Sequence, residues 1–488
     1  MHPNRRTFLR GTTALLGAIG LPAWAIRELE PRPRLLQLLA APVAAADNRV
    51  LRLLNRTSFG PTAAELERTA AQGAAAYLDE QLHPETIDDS AMEARLAPLT
   101  SLAMDGATLL RQDRRAVVRE LQQATLLRAR FSKRQLQEVL VDFWSNHFNI
   151  FIGKGNCRLL KTLDDRQAIR PHVLGSFREL LGASAHSPAM LIFLDNRSNG
   201  KKRPNENYAR ELMELHTLGV DGGYGEADVA EVARCLTGWT TRGGAFRFAR
   251  RQHDRGAKTV LGVAIDAGGG IQDGERVLDL LAAHPSTATF IATKLCRRFV
   301  ADNPPPAAVE QVAAVFRDSG GDLREVTRAV LSPPAFEAAA EPKLKRPIEY
   351  AISTLRVLGV DTDGAKLTKR VQLLGQVPFG APSPAGYPEH AAAWLSTSGM
   401  LGRWNWALQL AREVDGAAVD FTRLAGEPST AAEHAERLLA ALLPGVATAE
   451  LSAQLAHFLG QGASAEQIEQ RTPIAAGLVL GSPLAQYR

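Results

Sequence analysis

Asn207, Arg210, Glu211 and Glu214 are four polar side chains that can act together. At about 100° per residue they fall within roughly a third of one helix circumference, while Tyr208, Leu212 and Leu215 point elsewhere. Two carboxylates beside a guanidinium suit proton transfer, metal ligation or the stabilisation of developing negative charge. If solvated instead, the stripe reads as an i,i+4 ion pair between Arg210 and Glu214. His216 lies on the other side among Ala209, Leu212 and Met213, so apolar groups cover much of the remaining surface and favour a central helix.

A second stretch, 133–152, repeats the pattern. On a helix Glu138, Asp142 and Asn146 line one edge, and Leu140, Phe143 and His147 another. A lone histidine on an apolar face is more often a hydrogen-bonded core residue than a ligand. Two such histidines, each on a helix with a carboxylate stripe, point to a joint site. Glu211-Leu212-Met213-Glu214 has no histidine at the Glu-x-x-His offset, so a di-iron bundle is not indicated. Two loops add candidates. His253-Asp254-Arg255-Gly256-Ala257-Lys258 groups titratable side chains, for which a structural His–Asp hydrogen bond is an equal reading, and the Pro/Gly loop 375–388 carries Phe379 and Tyr387 as a pocket rim or a lid on the core.

The elements that must position these residues are mainly helical. The expected fold is mainly α, a large multi-helix domain with a small extended or β-hairpin excursion near residues 240–270, where Phe246-Arg247-Phe248 alternates. Residues 1–25 read as a twin-arginine signal peptide, with Arg5-Arg6 before a short apolar run and Ala23-Trp24-Ala25 as cleavage site. Residues 26–49 read as a linker, 50–415 as the core helical domain and 416–488 as a C-terminal helical segment packed on it. A second cleavage site, Ala44-Ala45-Ala46, leaves the mature start after Ala25 or Ala46. The leader implies a periplasmic or extracellular destination through the twin-arginine export machinery, and no later segment is apolar enough for a stable membrane span.

The formal charge of +5 falls to +2 once the leader's three arginines are removed, so the balance gives no reason to expect nucleic acid. Cys157, Cys235 and Cys296 are far apart and include no CxxC pair. They read as small buried thiols rather than a disulfide framework.

The ordered motifs Leu53–Gly60, Phe143–Phe148, Asn205–Gly219, Leu236–Trp239, His253–Lys258, Lys345–Glu349 and Pro382–Gly386 together resemble one family, the bacterial domain of unknown function 1800 family. The resemblance spans roughly Leu51 to Leu410. It implies a secreted, mainly helical protein, often encoded beside a twin-arginine-exported, sulfatase-like partner of the domain of unknown function 1501 family. It supplies no catalytic residues.

Two functional readings follow from the residues. The first is an exported hydrolase, metal-assisted or not, acting on an extracellular polymer such as a glycan. There Glu211 and Glu214 serve as general base or as ligands of a divalent metal, Arg210 stabilises negative charge, and His147 or His253 is the second proton-transfer group. Asp142 is the more plausible partner for Glu211 in a carboxylate dyad, because residues on one helix face are poorly placed across a cleft. Asn146, Asn207, His216, Lys258 and Tyr387 are the substrate-binding candidates. The second reading is a non-catalytic binding or assembly factor whose carboxylate stripes form a buried polar network. A convergent cleft favours the first reading; separated or fully paired side chains favour the second.

Overall fold

The computed structural model describes residues 49–337, 342–414 and 417–488, so the stretches expected to be a signal peptide and, up to Asn48, a linker lie outside the described residues. The chain is mainly α-helical, with short two-stranded antiparallel hairpins as its β-structure among the described residues. It forms two compact units, neither continuous in sequence. One holds residues 49–77, 342–376, 390–414 and 417–488; the other holds 78–337 and 377–389.

In the first unit the helix Ala63–Gln72 starts at a capping box, with Thr62 Oγ1 accepting from Glu65 N–H and Glu65 accepting from Thr62 N–H at 2.9 Å. The helix Pro347–Val357 begins with proline at its first position, where a missing N–H costs nothing. Its Tyr350 hydroxyl donates to the Leu480 carbonyl at 2.9 Å, tying it to the helix Ala465–Gly481. That helix packs against Thr397–Leu410, where Gly477 leaves room for Leu408. Trp406 is buried and donates to Thr354 Oγ1 at 2.9 Å; Trp394 and Trp404 are half-buried.

In the second unit the helix Gln135–His147 is buried along most of its length, with Trp144 in the core beside Phe143, Phe148 and Phe177. Cys157–Leu163 runs without a break into a π-helical turn, Asp164–Ile169. The candidate central helix also changes form, being α over Asn207–Glu211 and π over Leu212–Thr217, and it stops at Gly219, whose φ of 82° a glycine adopts without strain. Pro285–Phe299 packs across the π segment, and Gly219 is needed there because a Cβ would lie 2.9 Å from the Phe290 ring.

The expected excursion near 240–270 is two hairpins, Trp239–Arg242 with Ala245–Phe248, and Lys258–Val260 with Val263–Ile265. The first turns at Gly243-Gly244, both with positive φ, as a tight two-residue hairpin requires. No helix among the described residues is long and apolar enough to cross a membrane.

Candidate functional site

The α-to-π switch at Leu212 redirects the polar stripe. Leu218 N–H bonds the Met213 carbonyl at 2.8 Å, five residues back, so residues after Leu212 are no longer spaced at 100°. Arg210 therefore does not form the i,i+4 pair with Glu214. It makes two short bonds to Glu226, at 2.8 and 2.7 Å, and a longer one of 3.4 Å to Glu206. With its charge matched on the surface, its guanidinium stays firmly protonated, chiefly through the Glu226 hydrogen bond. Asn207 is exposed, and its Nδ2 donates to the Leu194 carbonyl at 3.1 Å, fixing the helix start.

Glu211 and Glu214 are left half-buried, with no hydrogen-bond or ion-pair partner among the described residues. Burial and then the neighbouring Glu214 raise the proton affinity of Glu211 above that of an ordinary glutamate, against a smaller opposing effect of Arg210. Tyr224, half-buried, is raised by burial and then by the same Glu214. Glu211, Glu214 and Tyr224 thus form one electrostatic neighbourhood.

His147 and His216 do come together, on the buried side. Both are almost fully enclosed, their rings 6.0 Å apart, and His147 Nε2 lies 3.0 Å from the His216 carbonyl. His147 Nδ1 and both His216 ring nitrogens have no hydrogen-bond partner among the described residues. Phe148 and Phe290 pack around the pair. Burial, and then the charge of Lys294, keep both rings neutral, His216 being lowered to about 3 and His147 well below an ordinary histidine. Lys294 itself is lowered to about 8, by burial against the opposing pull of Glu389.

Asp142 faces a different group. Arg298, fully buried, donates to Asp142 Oδ2 at 3.1 Å and to Glu389 Oε2 at 3.3 Å, so Asp142 is engaged in an internal ionic network. Asn146 bonds the backbone of Tyr387, and Gly386 approaches it so closely that a Cβ would lie 2.4 Å from its carbonyl oxygen. The Tyr387 hydroxyl donates to the Val377 carbonyl at 3.2 Å. These contacts make residues 377–388 of the Pro/Gly loop a fixed part of the second unit.

His253 and Lys258 join a third group. His253 Nδ1 lies 2.8 Å from the Thr237 carbonyl and its Nε2 3.0 Å from Asp273 Oδ2; the same oxygen accepts from Lys258 Nζ at 2.7 Å. Lys258 also donates to the carbonyls of Asp254 and Gly256. All three side chains are buried, and every ring nitrogen of His253 is occupied. The candidates therefore sort into a half-exposed carboxylate pair, an enclosed histidine pair and two paired ionic networks. Among the described residues, no three His, Cys, Asp or Glu side chains are grouped so as to hold a metal ion.

Sequence reasoning passed over three residues that the fold brings forward. Tyr224 sat in a Gly-rich loop, and Lys294 looked like an ordinary basic residue of a helix. Asp164 sat beside Lys161 at i,i+3, a spacing that reads as a surface pair, yet both side chains are fully buried, 2.5 Å apart. Asp164 opens the first π turn and lines a cleft of about 410 Å³ in the second unit, together with Asp105, Gln167, His186, Ser187 and Phe246.

No curated protein and no solved structure matches the chain. A family model described as a protein of unknown function, DUF1800, matches residues 52–487, and the chain belongs to that family.

Proposed function

We propose that the chain is an exported hydrolase acting on an extracellular polymer such as a glycan, with Glu211 as its proton donor, Glu214 as the base in place of Asp142, which Arg298 takes up, and Tyr224 as an auxiliary donor; the π turn from Leu212 takes Glu214 out of the 100° spacing that made one helix face a poor dyad. One observation carries this reading: two half-buried carboxylates three residues apart have no cation of their own, because Arg210 is bound to Glu226. Such an arrangement costs stability, and it is retained where a shifted proton affinity is used in chemistry. Glu211, which holds its proton more tightly than an ordinary glutamate, protonates the leaving group. Glu214 takes a proton from the attacking water as the glycosidic bond breaks, and the Tyr224 hydroxyl donates a hydrogen bond to the leaving-group oxygen beside Glu211. The π turn that frees Glu214 from Arg210 is of a kind often found at functional sites. The twin-arginine leader supports a periplasmic or extracellular setting.

Turnover of a panel of insoluble and soluble cell-wall and extracellular glycans tests the proposal. Glu211→Gln and Glu214→Gln should each reduce it by about 10²-fold or more, and Tyr224→Phe by less. Turnover unchanged in both glutamate variants discards the assignment.

A second reading, a non-catalytic binding or assembly factor working with a co-exported partner, is favoured by the separation of the candidates: His253 and Asp142 are engaged in paired networks and His147 packs on His216 in the core, so no convergent cleft among the described residues gathers them with Glu211 and Glu214. A pull-down with a co-expressed protein of the domain of unknown function 1501 family distinguishes the two. Capture that survives Glu211→Gln, with no turnover of any glycan, selects the second.

A further inference from the structure

Among the described residues the exposed large apolar side chains are Val220 of the second unit, and Leu373 and Leu395 of the first, which are 80% and 50% exposed. Leu373 and Leu395 both lie at the start of one helix, Thr397–Leu410. Leu395 directly precedes its cap Ser396, whose Oγ accepts from Gly399 N–H at 3.1 Å. Leu373 lies beside its second turn, where a Cβ on Gly402 would be 3.6 Å from the Leu373 carbonyl oxygen. Half-buried Trp394 and exposed Ala392 and Ala393 extend the apolar stretch on the Leu395 side.

Local sequence explains why Leu373 stays outside. In the short helix Leu367–Gln372 the buried side chains are Leu367 and Val371, at i,i+4, and Leu374 beyond them is buried too. Lys366, Lys369, Arg370 and Leu373 follow the i, i+3, i+4, i+7 spacing of the opposite face. Both lysines are exposed and Arg370 is half-buried. The stretches 364–376 and 390–412 contain no aspartate or glutamate. The acids just before them are engaged with backbone, Asp361 Oδ1 accepting from Thr362 N–H at 3.0 Å and Asp363 Oδ1 from Ala365 N–H at 2.9 Å.

Exposed leucines, a tryptophan and cations without intervening acids match an anionic bilayer better than a protein partner. A stable protein interface takes roughly 800 Å² from each side, and two leucines with part of a tryptophan supply only a fraction of that. Hydrocarbon demands no matching shape, so isolated apolar side chains enter it singly. Tryptophan favours the headgroup level, and each lysine or arginine near the surface gains from the negative potential of anionic lipids. Contact of this kind lies on a membrane and requires no spanning helix.

We propose that this face docks the chain on an anionic phospholipid bilayer, with Leu373 and Leu395 entering the boundary between headgroups and acyl chains, Trp394 at headgroup level, Lys369 facing the lipid phosphates, and Lys366 and Arg370 adding to the positive field. Glu211 and Glu214 belong to the other unit, and the docking does not depend on their acid–base role.

Flotation of the purified chain with phosphatidylcholine vesicles, and with vesicles of equal parts phosphatidylcholine and phosphatidylglycerol, tests the proposal. Saturable binding to the mixed vesicles is expected, weakening as salt is raised, with little on phosphatidylcholine alone. Leu373→Ser and Leu395→Ser should each weaken it about tenfold, the low end for burying a leucine, and Lys369→Gln about fivefold. All three side chains are exposed, so the fold tolerates these changes, and circular dichroism checks that it does. Brominated acyl chains should quench tryptophan emission in the native chain and quench it less in Trp394→Phe. Binding indifferent to both leucine substitutions, as a retained leader would give, overturns the proposal, and so does equal binding to the two vesicle types or binding to neither. A dimer that depends on Leu373, with no vesicle binding, overturns it in favour of a second copy on this face. Glu211→Gln should bind vesicles as the native chain does, so loss of turnover there without loss of binding keeps the docking distinct from the acid–base reading.

Discussion

Asn146 grips the backbone of Tyr387 at both ends of its amide, with Nδ2 donating to the Tyr387 carbonyl at 2.8 Å and Oδ1 accepting from its N–H at 2.7 Å. An asparagine on the buried helix Gln135–His147 thereby fixes a loop 241 residues away in sequence. Asn149 continues the seam, donating to the carbonyls of Ala381 and Ser383. Only an amide can donate and accept in this way, so no other side chain of similar size replaces it.

Asn146→Leu should therefore release the loop. Two partly buried backbone groups lose their partners, at a cost of roughly 2–4 kcal/mol together. Urea denaturation should show the loss, and limited proteolysis should find a new cleavage site within 380–389. A variant with unchanged midpoint and no new cleavage would show that the loop is held by other contacts.

His216 makes the second unit sensitive to acid. Its folded-state value of about 3 lies below the unfolded value near 6.5, so the unfolded chain takes up a proton first as pH falls. Its contribution is intact above about pH 6.5 and shrinks by roughly 1.4 kcal/mol for each unit below that, until pH 3. His147, also held neutral, adds to the slope, and Lys294 is the cation that faces both. His216→Leu should flatten the dependence of the urea midpoint between pH 6.5 and 4 by about one proton. An unchanged slope would mean that the ring is protonated in the folded protein.

Glu211 should cost the fold a little. Its raised proton affinity means that the ionised form is disfavoured in the native state, so the penalty is absent well below the unfolded pKa and complete above the folded one. Because the group is half-exposed, solvent screening limits the effect to a few tenths of a kcal/mol. Glu211→Gln should thus raise the thermal midpoint slightly at pH 7 and leave it unchanged at pH 3.5. A lower midpoint at pH 7 would show that the carboxylate has a stabilising partner.

Asp273 is the opposite case. It is the shared acceptor of His253 and Lys258, all three buried, and Asp273→Asn leaves the Lys258 ammonium without its counter-charge. Breaking one side of a buried pair typically costs about 3–5 kcal/mol, whereas replacing both partners with apolar groups costs less. Asp273→Leu with Lys258→Met should be closer to the native protein than Asp273→Asn alone. Equal stability of the two variants would place the network at a surface rather than in the core.

The sequence by itself determined the helical class, the hairpin excursion and the order of motifs that resembles its family. These follow from local rules, because hydrophobic period, residue alternation and glycine placement act within a few residues. It also indicated that His147 and His216 belong together, since each lay on an apolar face of a helix with a polar edge.

Tertiary structure alone decided which polar groups are used up and which remain. The Arg210–Glu214 pair expected from i,i+4 spacing is replaced by Arg210–Glu226 because the helix widens to a π turn at Leu212, and nothing in the one-dimensional pattern marks that change. His253 and Asp142 are taken by Asp273 and Arg298, partners 20 and 156 residues distant. Asp164 and His186 share a cleft only because the π turn, the hairpin and a helix start fold against one another. Whether a carboxylate is a site or a strut depends on the charge that reaches it and on the water that does not, and both are fixed by long-range packing rather than by its neighbours in the chain.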